Sequence, residues 1–350
     1  MEKLFSKSGA MDRRSFLKLS GLLGTGLVST SIIPGTAEAV KFNRDTYKVS
    51  KTRLAMGTMV SMTLIHTSKD RAEEAIGRAN EEIDRLTGLM NRFDDTTAVG
   101  RLNQEGMIKD LPPEIIQVIS SSLHYHRLTH GAFDISIKPL VDFLREQFSK
   151  GRDQYPNERK LKEVLNRVGA DQIELDGRSI RFKKPEMGIT LDGIAKGYIV
   201  DMASRILLDH RIENHLINAG GDIRAIGARP DRRPWTVAIQ DPRKNGQHPD
   251  MIHLTDAAIA TSGNYEIYFD REKMFHHIVD PGTGRSPLAS SSVSVVAPSA
   301  MEADALSTSV FVMNPERGTR FIDSLPQCES LIISRRDRMI RSQGWKSAAI

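Results

Sequence analysis

The strongest constraint on the fold is a series of short apolar segments in the second half of the chain, separated by tight turns. Gln172–Leu175 and Ser179–Phe182 flank Asp176-Gly177, a dipeptide typical of two-residue β-hairpin turns. Further strands are predicted in the order 214–218, 222–227, 235–240, 251–260, 291–297, 331–334 and 339–342. Frequent hairpins favour antiparallel pairing, so the chain is expected to adopt an α+β fold with a largely antiparallel sheet and packed helices.

The first half is predicted to be mainly helical after one initial strand. Arg53–His66 has strand composition, and its Met56-Gly57-Thr58 break indicates a bulge or a close backbone approach. Ser68 is expected to cap an amphipathic helix that extends to about Met90. Other helices are predicted at 112–129, 158–168, 193–209 and 299–313.

The first 39 residues have the composition of an export signal. Arg13-Arg14 precedes the modestly apolar run Leu19–Ile33, and Ala37-Glu38-Ala39 provides small residues for cleavage. The apolar run is too short and too polar for a membrane anchor, the alternative interpretation. We therefore expect a cleaved twin-arginine signal at 1–39, a polar lead-in at 40–52, one globular domain at 53–343 and a tail at 344–350. The mature protein is expected to be soluble in the periplasm.

Composition excludes several function classes. Cys328 is the single cysteine among 350 residues, so an intrachain disulfide, a cysteine-rich zinc site and a dithiol redox pair are all impossible. The chain has a net charge of +5, and its basic residues are scattered except at Arg335–Arg338. We interpret that segment as a solvated turn between two short strands. No nucleic-acid partner is therefore expected.

Two segments suggest a phosphate and metal site. Gly193 and Gly197 near the start of a helix allow close approach to its unpaired N–H groups, which favour an anion; the alternative is an ordinary junction capped by Asp192. Asp304 and Thr308 are four residues apart and share one helical face. Their oxygens suit a hard cation such as Mg²⁺, although such a pair is also common on a solvated face.

Loops supply further candidates, each with a simpler structural alternative. Asn218–Asp222 contains two adjacent glycines able to form an anion-binding nest, or merely a turn. His277 lies beside an apolar pair and Asp280, where it could move a proton or be purely structural. Zinc at His124, His126 and His130 is disfavoured because no acid or cysteine completes the set. Ser262 lacks the surroundings of a hydrolase nucleophile.

Together these segments resemble the FAD:protein FMN transferase (ApbE-type) family between about Met56 and Val312. The resemblance rests on eight blocks in the family's order: Met56–Thr58, Met90–Phe93 with Leu102-Asn103, Gly131–Asp134 with Pro139-Leu140, Leu191–Tyr198, Asn218–Asp222, Ala260–Gly263, His277–Pro281 with Thr283-Gly284, and Ala303–Thr308.

The resemblance implies a Mg²⁺-dependent enzyme that cleaves FAD, attaches FMN to a Thr or Ser hydroxyl of an acceptor flavoprotein and releases AMP. It implies His277 as an aid to transfer. It implies Mg²⁺ ligands at Asp304, Thr308 and the Ala195 carbonyl. It implies an FAD site along Met56, Phe93, Ala132, Phe133, Asp134, Asp192 and Tyr198.

This sequence departs from the family pattern at two points. Phe93 stands where tyrosine is common, which puts one flavin contact in doubt, and the lipoprotein cysteine of many relatives is missing. Two other functions remain open from the sequence. An FAD pyrophosphatase would release FMN and AMP, and a periplasmic flavin-binding protein would leave FAD intact.

Overall fold

The structure is a computed structural model that describes residues 38–41, 46–149, 156–243, 245–264 and 276–348. Most of the expected export signal, residues 1–37, lies outside this part of the chain. Within these ranges, none of the helices combines the length and apolarity needed to cross a bilayer.

Nine strands form one antiparallel sheet, in the order β1-β2-β3-β7-β8-β11-β12-β13-β14, as the turn pattern predicts. Two small antiparallel sheets, β4-β6-β5 and β10-β9, lie outside it. The strands are β1 Glu38–Lys41, β2 Tyr47–Ala55, β3 Thr58–His66, β4 Met107–Ile108, β5 Ile173–Asp176, β6 Ser179–Phe182, β7 His215–Ala219, β8 Asp222–Ile226, β9 Trp235–Ala238, β10 Met251–Leu254, β11 Ala257–Gly263, β12 Ser290–Ala297, β13 Glu329–Ser334 and β14 Met339–Arg341.

Eight α-helices accompany the strands in the described residues. They are α1 Lys69–Met90, α2 Ala98–Glu105, α3 Pro113–Leu128, α4 Lys138–Ser149, α5 Glu158–Leu165, α6 Ala195–Asp209, α7 Ala300–Val312 and α8 Pro315–Asp323. The predicted cap of α1 is confirmed, because the Ser68 side chain accepts a hydrogen bond from the Arg71 N–H. The helix expected at 158–168 ends earlier, at Leu165.

The two faces of the main sheet are covered differently. Met62 and Leu64 on β3 pack with α1, α6 and α7 into the principal core. Ile65 points the other way and joins Trp235 of β9 and Ile252 of β10 in a second core. Side chains alternate between faces along a strand, so one sheet supports both layers.

The break at Met56 is a hairpin turn, so the bulge prediction is wrong. Met56 and Gly57 have φ values of 51° and 71°, and they connect β2 directly to β3. Two consecutive residues with positive φ form the turn whose twist matches an antiparallel hairpin. The segment predicted as one strand over 251–260 is likewise two strands in different sheets, separated at Asp256 with φ 49°.

The fold extends beyond both expected ends of the 53–343 domain. β2 begins at Tyr47, and Val49 is fully buried, so part of the expected lead-in at 40–52 belongs to the sheet. At the other end, Trp345 is buried and its Nε1–H donates to Asp250 Oδ2 over 3.1 Å. Ser347 donates to the same oxygen over 2.8 Å. The residues expected as a tail therefore close the second core.

Candidate functional site

Two hairpin turns lie side by side at one end of the main sheet. Val60 of β3 pairs with Ala219 of β7, which places the Met56-Gly57 turn beside the Gly220-Gly221 turn. The contact is close, since a Cβ atom at Gly220 would overlap the Thr58 side chain. Gly220 and Gly221 have φ values of 61° and 103°, a backbone that glycine adopts without strain.

Helices α6 and α7 meet next to this end of the sheet through a reciprocal pair of contacts. The Gly197 N–H in the first turn of α6 donates to Asp304 Oδ2 of α7 over 3.1 Å. In return, the Asp201 carboxylate of α6 accepts the Ala300 and Met301 N–H groups at the start of α7, each over 2.9 Å. A Cβ atom at Gly197 would overlap the Ala300 carbonyl, so glycine is needed there for close approach. The close approach of the two helices therefore explains why glycine, which disfavours helices, occupies position 197 in α6.

Two carboxylates are buried together at this junction. Asp304 is 6% exposed and Asp222, the first residue of β8, is 2% exposed. Burial raises the pKa of Asp304 well above its ordinary value, and the Asp222 carboxylate raises it further. Burial also raises the pKa of Asp222, while the Lys196 ammonium, 3.3 Å from Asp222 Oδ2, opposes the increase. When both carboxyl groups are ionised, the single ammonium leaves one buried negative charge uncompensated. A bound cation would neutralise that charge.

Hydroxyl groups extend the junction on its β11 side. Ser262 Oγ lies 3.3 Å from Thr308 Oγ1 and 2.9 Å from Ser307 Oγ. A Cβ atom at Gly193 would lie 3.2 Å from Thr308 Oγ1 and 3.4 Å from the Phe133 ring, so the Gly193 backbone is close to both. The arrangement brings together Asp304, Thr308 and the start of α6, which the sequence suggested as two separate motifs.

The hypothesis that Asp192 caps α6 is wrong. The helix begins at Ala195, its N-cap residue is Ile194, and no side chain caps it. The Asp192 side chain is 66% exposed and lies 3.3 Å from Arg92 Nε. The Asp192 carboxylate therefore pairs with Arg92 rather than with the helix N-terminus.

The other residues implied by the family resemblance occupy diverse surroundings. Met56 is in the β2–β3 turn, and Phe93, after α1, is 67% exposed. Ala132 is half-buried, whereas Phe133 is buried next to Gly193. The remaining two residues have internal partners.

Asp134 and Tyr198 are both buried and hydrogen-bonded inside the protein. Asp134 accepts bonds from the Ser136 hydroxyl over 2.6 Å and the Ala170 N–H over 3.1 Å. The Tyr198 hydroxyl donates to Gln117 Oε1 over 3.3 Å, and burial raises its pKa. These bonds therefore tie both side chains to neighbouring parts of the fold.

His277 is half-buried and is linked to α7 through its neighbour. The His276 and His277 rings pack edge to face, with centroids 6.3 Å apart. The His276 ring packs against Phe311, one turn beyond Thr308, at 5.5 Å. The fold therefore holds the segment containing His277 against the helix that contains Asp304 and Thr308.

The two rival sites gain no support. His126 Nδ1 is 2.9 Å from the Phe133 carbonyl oxygen, and across the described ranges no three His, Cys, Asp or Glu residues are grouped to hold a metal. Ser262 bonds to hydroxyl groups, without a histidine among those contacts.

Sequence reasoning missed the contributions of Asp222, Lys196 and Arg92. The turn pattern predicts Asp222 only as the end of a glycine-containing turn, although a charge at the first position of a buried strand is a usable signal. Arg92 belongs to the Met90–Phe93 block, but its sequence position indicates no role. Nothing local distinguishes it from a surface arginine, because its burial depends on α4 and the loop before α6.

Comparisons with known proteins identify relatives of this chain. A family model described as "ApbE family" matches residues 56–332. The FAD:protein FMN transferase of Vibrio cholerae is 32% identical over 68% of this chain and 74% of its own length. The FAD:protein FMN transferase of Haemophilus influenzae is 27% identical over 84% of this chain and 88% of its own length.

Solved structures also resemble this chain. The ApbE protein of Thermotoga maritima superposes with a TM-score of 0.77 at 29% identity, over 85% of this chain and 97% of its own. The flavin transferase ApbE of Vibrio cholerae gives a TM-score of 0.73 at 27% identity, over 88% and 98% respectively. The similarity extends over the α+β fold as a whole.

Proposed function

Because this chain belongs to the ApbE family, we propose that it is an FAD:protein FMN transferase. The observation with the most weight is the hydrogen bond between Gly197 and Asp304, since it joins two of the family's sequence blocks at one buried, negatively charged junction. The proposed substrates are FAD and the hydroxyl side chain of an acceptor flavoprotein, and the proposed products are the flavinylated acceptor and AMP.

The donor atoms at the junction fit Mg²⁺. The proposed ligands are Asp304, Thr308 and the Ala195 carbonyl, which together offer the oxygen donors that a hard cation prefers. Buried Asp222 adds negative charge close to Asp304, and the Lys196 ammonium, 3.3 Å from its Oδ2 atom, offsets this charge only in part. When bound there, Mg²⁺ would neutralise negative charge on the FAD diphosphate.

The residues at the mouth of the site are proposed to hold FAD. Three accessible residues can contact the ligand directly: Phe93 and Asp192, which are exposed, and Met56, which is half-buried. Phe133 packs next to Gly193, whose backbone lies close to Thr308. Ala132, Asp134 and Tyr198 complete the walls. The exposed Phe93 ring offers an aromatic face that suits an aromatic ligand.

In the proposed reaction the acceptor hydroxyl oxygen attacks the phosphorus atom of the FMN moiety. A new P–O bond forms to the acceptor, the P–O bond to the bridging oxygen breaks, and AMP leaves with that oxygen. The proton of the acceptor hydroxyl passes to His277, because an imidazole exchanges protons near neutral pH. The half-buried position of His277 leaves it accessible for this role.

We further propose that the enzyme acts in the periplasm. The twin-arginine motif Arg13-Arg14 and the small residues before Val40 support export through the twin-arginine machinery. Replacing both arginines by lysine is expected to leave precursor in the cytoplasm, and cell fractionation with N-terminal sequencing measures this. Periplasmic mature protein from that variant would contradict the export proposal.

The decisive experiment incubates the protein with FAD, Mg²⁺ and a purified acceptor domain. Transferase activity leaves flavin fluorescence on the acceptor band after denaturation, together with one AMP per flavin. Free FMN and AMP without labelled acceptor would make the protein a pyrophosphatase, and intact bound FAD would make it a flavin-binding protein. An acceptor whose target Thr or Ser is replaced by Ala is the control.

A further inference from the structure

Arg92 is a buried cation at the edge of the proposed flavin site. Its side chain is 3% exposed, although arginine is rarely buried so completely without several partners. Nη1 lies 3.3 Å from Asp142 Oδ1 and Nε lies 3.3 Å from Asp192 Oδ2. The guanidinium therefore connects α4 with the loop that precedes α6.

The same guanidinium packs on an aromatic ring. The Arg92 Cζ atom is 4.3 Å from the centroid of Phe93, a distance typical of cation–π contact. The Arg145 Cζ atom is 5.7 Å from that centroid. The ring of Phe93 is thus held by cations, while most of its surface remains open to a ligand.

Charge, stacking and one side-chain hydrogen bond, from Nη1 to Asp142 Oδ1, fix Arg92. Within the described residues, neither Nε nor Nη2 has a hydrogen-bond acceptor of good geometry. Lys138 Nζ holds the far side of the network, 2.7 Å from Asp142 Oδ2. The position of the guanidinium thus depends on the two carboxylates and the ring.

We propose that Arg92 is a positioning residue of the flavin site, which holds the Asp192 carboxylate and the Phe93 ring in the arrangement that receives the flavin nucleotide. This inference rests on the proposed function, because both partners are proposed FAD contacts. Without Arg92, the exposed Asp192 carboxylate and Phe93 ring would lose conformational entropy when FAD binds. Because Arg92 already restrains both groups, that entropy loss does not weaken binding.

The Arg92→Met variant tests the role. The protein is expected to fold, because Asp192 is largely exposed and Asp142 retains Lys138. Affinity for FAD and for riboflavin, measured by fluorescence titration, is expected to fall at least tenfold. KM for FAD is expected to rise equally, whereas kcat at saturating FAD and the Mg²⁺ dependence stay within twofold of wild type.

A second comparison separates positioning from a general loss of charge. Arg92→Lys is expected to recover only part of the affinity, because an ammonium lacks the planar fork that reaches two carboxylates. The matched control is Arg101→Met, which removes an exposed arginine paired with Glu105 and should leave binding unchanged. Thermal unfolding of all variants reports whether any loss is structural.

A double-mutant cycle with Asp192→Asn completes the test. If Arg92 acts through Asp192, the double variant binds riboflavin no more weakly than Arg92→Met alone. Wild-type affinity in Arg92→Met, strictly additive losses in the cycle, or a loss matched by unfolding would overturn the inference. Wild-type protein that binds FAD without transferring FMN would instead overturn the transferase proposal, and the binding data would still decide the role of Arg92.

Discussion

The Asp304 carboxylate accepts the Gly197 N–H over 3.1 Å and so joins α7 to the first turn of α6 across 107 residues. The contact combines an unpaired N–H group at a helix start with a buried negative charge. It also fixes the orientation of one carboxylate oxygen in the candidate metal site. Most of the following predictions concern this junction or the elements that hold it in place.

Asp304→Asn is expected to abolish Mg²⁺-dependent FMN transfer while the fold is retained. The amide preserves size but removes the charge that a hard cation prefers. Transfer measured across a Mg²⁺ titration checks this, with exposed Asp209→Asn at the end of α6 as the control. Thr308→Val should have a smaller effect, since water can replace one neutral oxygen. Normal transfer by Asp304→Asn at limiting Mg²⁺ would show that the metal assignment is wrong.

Gly197→Ala is expected to lower both the melting temperature and the transfer rate. The new methyl group would overlap the Ala300 carbonyl and push α6 from α7, and such overpacking costs about 1–3 kcal/mol. Gly77→Ala on α1 is the matched control, because a Cβ atom there meets nothing within 4 Å. That variant should be as stable as wild type or gain up to about 1 kcal/mol. Equal melting temperatures for the two variants would contradict close packing at Gly197.

His277→Ala is expected to slow transfer by about 10²–10⁴-fold with little change in FAD affinity, since a general base contributes to rate rather than binding. Single-turnover transfer and fluorescence titration measure the two effects separately. Exposed His253→Ala on β10 serves as the control. Parallel losses of rate and affinity would make His277 a binding residue.

His215 is expected to make the protein less stable in mild acid. Burial lowers its pKa from 6.5 to about 4, and its ring bonds to the Ser204 hydroxyl over 2.7 Å. Between those two pKa values the unfolded chain binds a proton that the folded chain excludes. The unfolding free energy should therefore fall as pH drops from 6.5 towards 4, by up to about 1.4 kcal/mol per pH unit from this group.

Urea denaturation at several pH values checks the contribution of His215. His215→Gln should show a shallower pH dependence over that window, and His253→Gln should follow the wild type. The same slope in His215→Gln and wild type would exclude His215 as the source.

Trp345→Phe is expected to destabilise the protein by about 1 kcal/mol. The substitution keeps an aromatic ring in the second core but removes the Nε1–H that donates to Asp250. Ser347 and Arg341 remain as donors to that carboxylate, so the loss should be partial. Chemical denaturation provides the measurement, and an unchanged midpoint would mean that the C-terminal segment contributes packing alone.

The sequence by itself determined five of the eight helices in the described residues, most of the strands, the antiparallel α+β fold and the order of the family's blocks. Its pattern did not predict α2, α4 or α8. The Ser68 cap, the hairpin between β5 and β6 and the Asp304/Thr308 face all follow from residues a few positions apart. Helical and strand periodicity depend on such near neighbours, and this is why they can be predicted locally.

Only the tertiary structure decided which distant residues meet. It directed Asp192 towards Arg92 instead of the α6 N-terminus, placed Asp222 beside Asp304, and returned Trp345 to the second core. Each of these contacts depends on strand register and on the packing of helices far apart in sequence. Such contacts form because buried charges and donors require partners wherever the chain can supply them, a requirement that a local pattern does not encode.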